Sequence, residues 1–274
     1  MLSLDSEIRV KIMDIKTYVS ERKEALKKAV LSAKKVPTLA IIVIGNNPAS
    51  ESYVRGKVKD AAEVGFKAID THLEESVSQD ELLSLIKRYN EDPEIDGVLV
   101  QLPVPKQISE QAIHQAVVPE KDVDGFSPIS PFECCTPKGI CDYLSSEGFA
   151  FRGKNAVVIG RSAIVGKPMA KMLLSRDCNV TVLHSKTSEE DKRFYLAHAD
   201  LVVVAIGKEG LIDASYRFKP TCWVVDVGIN RGEDGHLHGD CVPNLPVERQ
   251  TPVPGGVGLL TRLALLENLL EASK

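Results

Sequence analysis

The feature that most limits how this chain can fold is a series of short, predominantly apolar runs: TLAIIVIG, DGVLVQLPVP, KNAVVIG, NVTVLH, DLVVVAIG and CWVVDVG. A strand that is apolar at nearly every position must be covered on both faces, as happens when helices pack on either side of a parallel sheet. Segments with a helical period separate the runs. Residues 5–35 place Ile8, Ile12, Ile15, Val19, Leu26 and Val30 on a near-helical period before Pro37 stops the helix. Residues 50–64 read as a helix, FKAIDTHL as a strand, and SQDELLSLIKRYNED as a helix with Ser78 as N-cap and Glu81 at the capping-box position. This alternation predicts an α/β fold with a doubly wound parallel sheet.

A chain of 274 residues is long enough for two lobes. The stretch VVPEKDVDGFSPISPFECCTP holds four prolines and no periodicity, so the lobes should part there. The expected division is an N-terminal α/β lobe over 1–135 and a Rossmann-like dinucleotide lobe over 136–257, with a cleft between them. LLTRLALLENLLEA closes the chain as an amphipathic helix, and 258–274 should rejoin the first lobe.

Composition excludes several classes. With 34 Lys+Arg against 38 Asp+Glu the net charge is −4, which argues against a binder that works by neutralising phosphates. No apolar run approaches the ~18–20 residues needed to span a bilayer. The opening MLSLDSEIRVKIMD has no basic region followed by an apolar stretch, so no secretory leader is expected. The six cysteines (Cys134, Cys135, Cys141, Cys178, Cys222 and Cys241) form no CxxC pair and read as reduced thiols of a cytoplasmic protein, with no metal site.

In open parallel sheets ligands bind outside the carboxyl ends of the strands. The first strand of the second lobe ends in GRSAIVGKP, where Gly160 and Gly166 suit either a phosphate turn or an ordinary strand-to-helix turn. The next strand, NVTVLH, runs into His184, Ser185, Lys186 and Thr187, with no carboxylate before Glu189. NAD enzymes usually place an acid there for the ribose hydroxyls; a hydroxyl with nearby cations, Arg161 included, favours the 2′-phosphate of NADP. The later strand ends Ala205-Ile206-Gly207 and Val227-Gly228-Ile229 put small residues where a nicotinamide ribose can pass. Asp226, inside WVVDVG, reads as a structural acceptor rather than a catalytic acid.

In the first lobe Tyr53 and Lys57 stand at i and i+4, beside the apolar stripe of Val54, Val58 and Ala61. That puts them at the edge of buried surface, where a lysine loses proton affinity through desolvation and becomes useful as an acid or base; taken alone, a snorkelling lysine is the commoner outcome. Gln101 is the one polar residue of GVLVQLPVP and needs partners if buried. Asp122 and Asp124 follow in KDVDGF, and TPVPGGVG joins stiff prolines to flexible glycines before the last helix.

Taken in order, PASESYVRGKVKDAAEVGF, DGVLVQLPVP, PEKDVDGF, CTPKGI, GRSAIVGKP, HSKT, VVDVGINR and TPVPGGVG resemble the bifunctional methylenetetrahydrofolate dehydrogenase/cyclohydrolase family, roughly from Thr38 to the end. The resemblance implies NADP-dependent oxidation of 5,10-methylenetetrahydrofolate to the methenyl cation, hydrolysis of that cation to 10-formyltetrahydrofolate, and a homodimer. It makes Lys57 the catalytic lysine, Tyr53 the residue that stacks on the folate, Gln101 the glutamine bonded to the lysine, and Asp124 the acid that grips the pterin. It assigns Pro252, Gly255 and Gly256 to a loop lining the folate pocket. Cofactor positions would be Gly160, Arg161, Ser162, Ile164, Ser185 and Ile229, joined by His184, Thr187, Ala205, Gly207 and Gly228 at the strand ends.

Three departures accompany the resemblance. The segment over 127–134 is shorter than the family's, Leu259 and Leu260 replace Pro-Met in its GPMT, and the opening lacks its DGK-like start. The short segment is expected to change the balance of the two activities. Two other readings stay open: a shikimate-type NADP dehydrogenase, which would not explain Gln101 or TPVPGGVG, and a non-catalytic relative that binds folate or nucleotide.

Overall fold

The computed structural model describes residues 10–274. Its elements begin with β1 (Lys11–Ile12), α1 (Ile15–Leu31), β2 (Thr38–Ile44), α2 (Pro48–Val64), β3 (Lys67–Leu73), α3 (Gln79–Glu91), β4 (Gly97–Val100), α4 (Glu110–Ala116) and a 3₁₀ turn at Pro119–Lys121. They continue with α5 (Cys135–Ser146), β5 (Asn155–Ile159), α6 (Gly166–Ser175), β6 (Asn179–Leu183), α7 (Glu189–His198), β7 (Leu201–Val204) and β8 (Trp223–Asp226). The short strands β9 (Asn230–Arg231), β10 (Leu237–His238) and β11 (Arg249–Gln250) precede the closing helix α8 (Val257–Ala272).

The chain divides into two compact units. The first comprises Ser20–Cys135 and Arg262–Lys274. Its parallel sheet has the order β3-β2-β4, and every residue of β2 is buried, as its unbroken apolar sequence requires. Ile42 and Val98 of the sheet pack with Leu82 and Ile86 of α3. That helix starts at the expected capping box: Ser78 Oγ accepts from the Glu81 N–H, and Glu81 Oε2 accepts from the Ser78 N–H.

The second unit comprises 10–19 and Thr136–Thr261. Its six strands are all parallel in the order β1-β11-β8-β7-β5-β6. The sequence of strands reverses at β5, with β6 on one side and β7 on the other, and such a switch point opens a crevice at the carboxyl ends.

Several expectations need correction. The helix expected over 5–35 has its first residues, 5–9, outside the described part. Beyond them the chain forms β1 and then α1. Lys11 N–H donates to Glu248 O at 2.9 Å and Met13 N–H to Gln250 O at 3.0 Å, so partners remote in sequence override the local period. Residues 10–19, expected in the first lobe, therefore belong with the second unit's sheet. Nor is α8 amphipathic. Leu260, Leu263, Ala264, Leu265, Leu266 and Leu269 are all buried, and at about 100° per residue they point around the whole circumference. Its first residues to Thr261 group with the second unit and the remainder with the first. Among the described residues no helix is long and apolar enough to cross a membrane. All six cysteines are free thiols, five of them buried.

Asp226 at the end of β8 is 2 % exposed. Its Oδ1 accepts from the N–H groups of Gly228 (2.9 Å) and Asp240 (3.0 Å), and its Oδ2 from Cys241 (2.8 Å), the structural part expected of it. Burial pushes its carboxyl up to about 6, with the three N–H donors pulling the other way. The unfolded carboxyl titrates near 3.9, so the folded state holds the proton more tightly. The resulting stability is complete below about pH 4 and is lost as the pH rises through about 6. Asp226→Asn cannot titrate. The wild-type stability minus that of the variant should therefore fall by about 2 kcal/mol from about pH 4 to about pH 7 in urea denaturation. A difference that stays flat with pH would contradict the assignment.

Candidate active site

In the first unit α2 carries two of the expected site residues, Tyr53 and Lys57. Asn47 starts it, its Oδ1 accepting from the Ser50 N–H at 3.2 Å. The buried face of the helix is formed by Ser50, Val54, Lys57, Asp60, Ala61 and Val64. Two of these are charged, and each is matched. Asp60 faces Lys23 Nζ and Arg262 Nε, both at 2.6 Å. Lys57, only 9 % exposed, donates from Nζ to Gln101 Oε1 at 3.1 Å. Lys57 thus lies within the buried face rather than at its edge, while Tyr53 one turn earlier is 36 % exposed. Burial pushes the Tyr53 phenol up, partly offset by the Arg262 guanidinium.

Gln101 sits just past β4, its N–H continuing the ladder to Ile42 O at 2.9 Å. Its Nε2 donates to Leu102 O at 2.7 Å. A backbone carbonyl can only accept, so this bond settles which end of the amide is nitrogen and turns Oε1 toward Lys57. The pair is fixed on rigid elements of one sheet and one helix.

The two acids of KDVDGF divide their tasks. Asp122 is buried, accepting from the N–H groups of Ser127 (2.8 Å) and Phe126 (3.4 Å), and burial pushes its carboxyl up to about 6. Asp124 is half-buried, and among the described residues its carboxylate has no hydrogen-bond partner. The short segment over 127–134 is pinned by Asn268 Nδ2, which donates to Val123 O (2.9 Å) and Glu133 O (3.1 Å). Gly125, at φ 71°, has no room for a Cβ, which would meet the Glu133 carbonyl carbon at 2.6 Å.

Sequence reasoning missed Arg262. Its guanidinium lies where a Cβ on Gly56 would be, next to Lys57 in the chain. A glycine in mid-helix was the available signal.

In the second unit the strand ends carry the expected cofactor positions. β5 runs into Gly160, whose φ of 125° only glycine adopts readily. Arg161 is exposed and Ile164 half-buried on the turn into α6. Ser162 Oγ accepts from the N–H groups of Val165 and Gly166, both at 3.2 Å, so it helps satisfy the helix start and keeps its own proton to donate. After β6, Thr187 Oγ1 accepts from the His184 N–H at 3.0 Å and His184 Nδ1 accepts from the Lys186 N–H at 3.2 Å. These bonds close the turn, and Ser185 stands exposed on it.

After β7, Ala205 N–H donates to Ile159 O at 2.8 Å, and Gly207 at φ 75° faces open space. After β8, Gly228 is buried and Ile229 is 41 % exposed. Pro252 and Gly255 are half-buried in the loop before α8, and Gly256 is buried with its α-carbon against the Pro252 carbonyl oxygen. A narrow glycine turn, a helix start beside it and an exposed hydroxyl with no carboxylate after β6 fit a dinucleotide with a 2′-phosphate.

Comparison with known proteins agrees with this geometry. Residues 13–124 match the family model for the tetrahydrofolate dehydrogenase/cyclohydrolase catalytic domain, and residues 134–274 that family's NAD(P)-binding domain. The bifunctional protein FolD of Staphylococcus aureus (strain Newman) is 43 % identical over 279 aligned positions, covering 96 % of each chain. The crystal structure of the bifunctional enzyme FolD, a methylenetetrahydrofolate dehydrogenase/cyclohydrolase from Campylobacter jejuni, superposes with a TM-score of 0.93 at 40 % identity, covering 96 % of this chain and 98 % of that one. The Trypanosoma brucei methylenetetrahydrofolate dehydrogenase-cyclohydrolase, solved with NADP and an inhibitor, gives 0.91 at 31 % identity over 97 % of each. A buried lysine bonded to a glutamine in one unit and a parallel sheet with a glycine turn in the other thus meet family models that together span most of the sequence, and this chain belongs to the tetrahydrofolate dehydrogenase/cyclohydrolase family.

Proposed function

We propose that the chain oxidises 5,10-methylenetetrahydrofolate with NADP and hydrolyses the methenyl product to 10-formyltetrahydrofolate. The observation that carries this reading is the Lys57 Nζ to Gln101 Oε1 contact of 3.1 Å on a buried face. The intact set of Tyr53, Lys57, Gln101 and Asp124 also disfavours a merely binding relative. Family membership takes the place of the shikimate-type alternative.

The bound cofactor supplies a hydride acceptor. The methylene carbon gives up a hydride, and the two flanking nitrogens share the positive charge left behind, so no protein acid or base is required. In this reading Tyr53 lies flat against the folate, and Asp124 receives two N–H bonds from the aminopyrimidinone edge of the pterin. Pro252, Gly255 and Gly256 form backbone wall on the folate side. Gly160, Arg161, Ser162 and Ile164 hold the adenosine and pyrophosphate. His184 and Thr187 shape the turn that offers Ser185 to the 2′-phosphate, while Ala205, Gly207, Gly228 and Ile229 line the nicotinamide half.

Hydrolysis does need proton transfer. Water adds to the amidinium carbon and releases a proton; the adduct then loses its hydroxyl proton as the bond to the ring nitrogen breaks and that nitrogen takes one up. One proton leaves to solvent in the sum. Lys57 ferries the proton between oxygen and nitrogen, and Gln101 holds its Nζ at the reacting atoms. A homodimer and a reducing, cytoplasmic location complete the proposal, supported by family membership and by six free thiols.

The test is a spectrophotometric assay with methylenetetrahydrofolate and NADP or NAD, following reduced cofactor and methenyl decay separately. NADP-dependent reduction followed by methenyl decay is expected; cofactor binding with neither reaction would leave a binding protein. Ser185→Ala should weaken NADP about tenfold, the worth of one hydrogen bond to a charged group, and leave NAD nearly unchanged. Arg161→Gln should act in the same direction. Equal losses for the two cofactors would mean that the 2′-phosphate is read elsewhere.

A further inference from the structure

Asp240 is fully buried, and nothing in the reaction above uses it. Its Oδ2 accepts from the backbone N–H groups of Ile206 (2.7 Å) and Gly207 (2.9 Å). Its Oδ1 accepts from the Lys208 N–H (2.8 Å) and from Asn230 Nδ2 (3.0 Å). Both oxygens accept and neither donates, the bonding of an ionised carboxylate. Among the described residues no lysine, arginine or histidine is paired with it.

Three successive amides turned to one point form an anion-binding concavity. Here a side chain of the protein itself fills it. Because each peptide is planar and trans, aiming the N–H groups of Ile206 and Gly207 at Asp240 turns the carbonyls of Ala205 and Ile206 the opposite way. The Ala205 oxygen accordingly faces Gly160 at the end of β5.

The end of β8 rests on the same group. A Cβ on Gly228 would overlap Asp240 Oδ1, and Asp240 N–H donates to Asp226 Oδ1, which also accepts from the Gly228 N–H. One carboxylate therefore sets the loop after β7 and the loop after β8 in a single arrangement.

We infer that Asp240 is the positioning residue for the nicotinamide half of the cofactor, holding the ends of β7 and β8 in the geometry that half requires while leaving the adenosine half to the ends of β5 and β6. The inference rests on the dinucleotide reading above. In a parallel sheet with this strand order a dinucleotide spans the switch point, with one half on each side of it.

The separation of halves makes a test. Calorimetric titration of the full-length wild-type protein and of Asp240→Asn would use two ligands: NADP+, and adenosine 2′,5′-bisphosphate, which lacks the nicotinamide half. Asn is isosteric, but its amide nitrogen faces N–H donors. NADP+ should bind at least about tenfold more weakly, the loss of a hydrogen bond to a charged group, with the bisphosphate within about twofold. Equal losses on both ligands would reduce Asp240 to a general structural residue, and no loss on NADP+ would also overturn the inference.

If Asp240→Asn does not fold, Asn230→Ala, which removes one of the four bonds, decides. A loss of about threefold on NADP+ alone supports the role, and no loss removes it. Failure of the proposed reaction is read separately, on the wild-type protein, as absence of NADP-dependent methenyl formation. The binding comparison stands in either case.

Discussion

Lys57→Met loses methenyl hydrolysis by about 10²–10⁴-fold, the usual contribution of a positioned acid or base, while the KM for the methenyl substrate changes by less than about threefold. Methionine keeps most of the apolar stem but removes the nitrogen that the proposal assigns to proton transfer. The bond to Gln101 Oε1 disappears with it, leaving a half-buried acceptor that water can reach, so the fold should survive. Hydride transfer asks for no proton, and reduction of NADP by methylenetetrahydrofolate should persist, with methenyl product accumulating. Stopped-flow absorbance of the two chromophores separates the activities. Hydrolysis at the wild-type rate would take Lys57 out of its role. Equal loss of both activities would point to misplacement of the substrate instead.

A second large effect is expected at Gly160. Its φ of 125° lies in a region nearly closed to other residues, and an added Cβ would press on the backbone carbonyl oxygen of Ala205. β5 and β7 are paired next to each other, so neither backbone can withdraw without breaking the ladder. Gly160→Ala should lose about 3–5 kcal/mol in urea denaturation and, where it folds, most of its NADP binding. Gly207→Ala is the control. Its φ of 75° carries only the left-handed strain of about 1–2 kcal/mol, because an added Cβ meets nothing within 4 Å. If the two variants lose the same amount, close packing is not what demands glycine at 160.

Much of the architecture was legible because its signals are local. Five of the apolar runs became the buried strands β2, β4, β5, β7 and β8, and Ser78 with Glu81 formed the capping box. NVTVLH instead became β6 at the sheet edge, with Val182 exposed because no strand lies beyond it among the described residues. Gln101 was legible as the one polar residue of its run and Lys57 as a residue beside the apolar stripe of α2, but the burial of Lys57 depended on what covers α2 and was placed too near the edge. β1 was read as helix because its two residues have a partner only at Arg249 and Gln250. The buried circumference of α8 was read as one apolar stripe, since a sequence shows which residues are apolar and not how many neighbours surround them.

The sequence by itself determined the parallel α/β class, the positions of the strand ends and the motifs of the family, all of which depend on residues close together in the chain. Tertiary structure alone decided which polar groups meet. Asp240 contacts the loop after β7, Arg262 lies on Gly56, and Asn268 pins the segment over 127–134. A buried carboxylate or guanidinium must find its partner somewhere, and that partner is set by packing rather than by spacing, so no local pattern announces it.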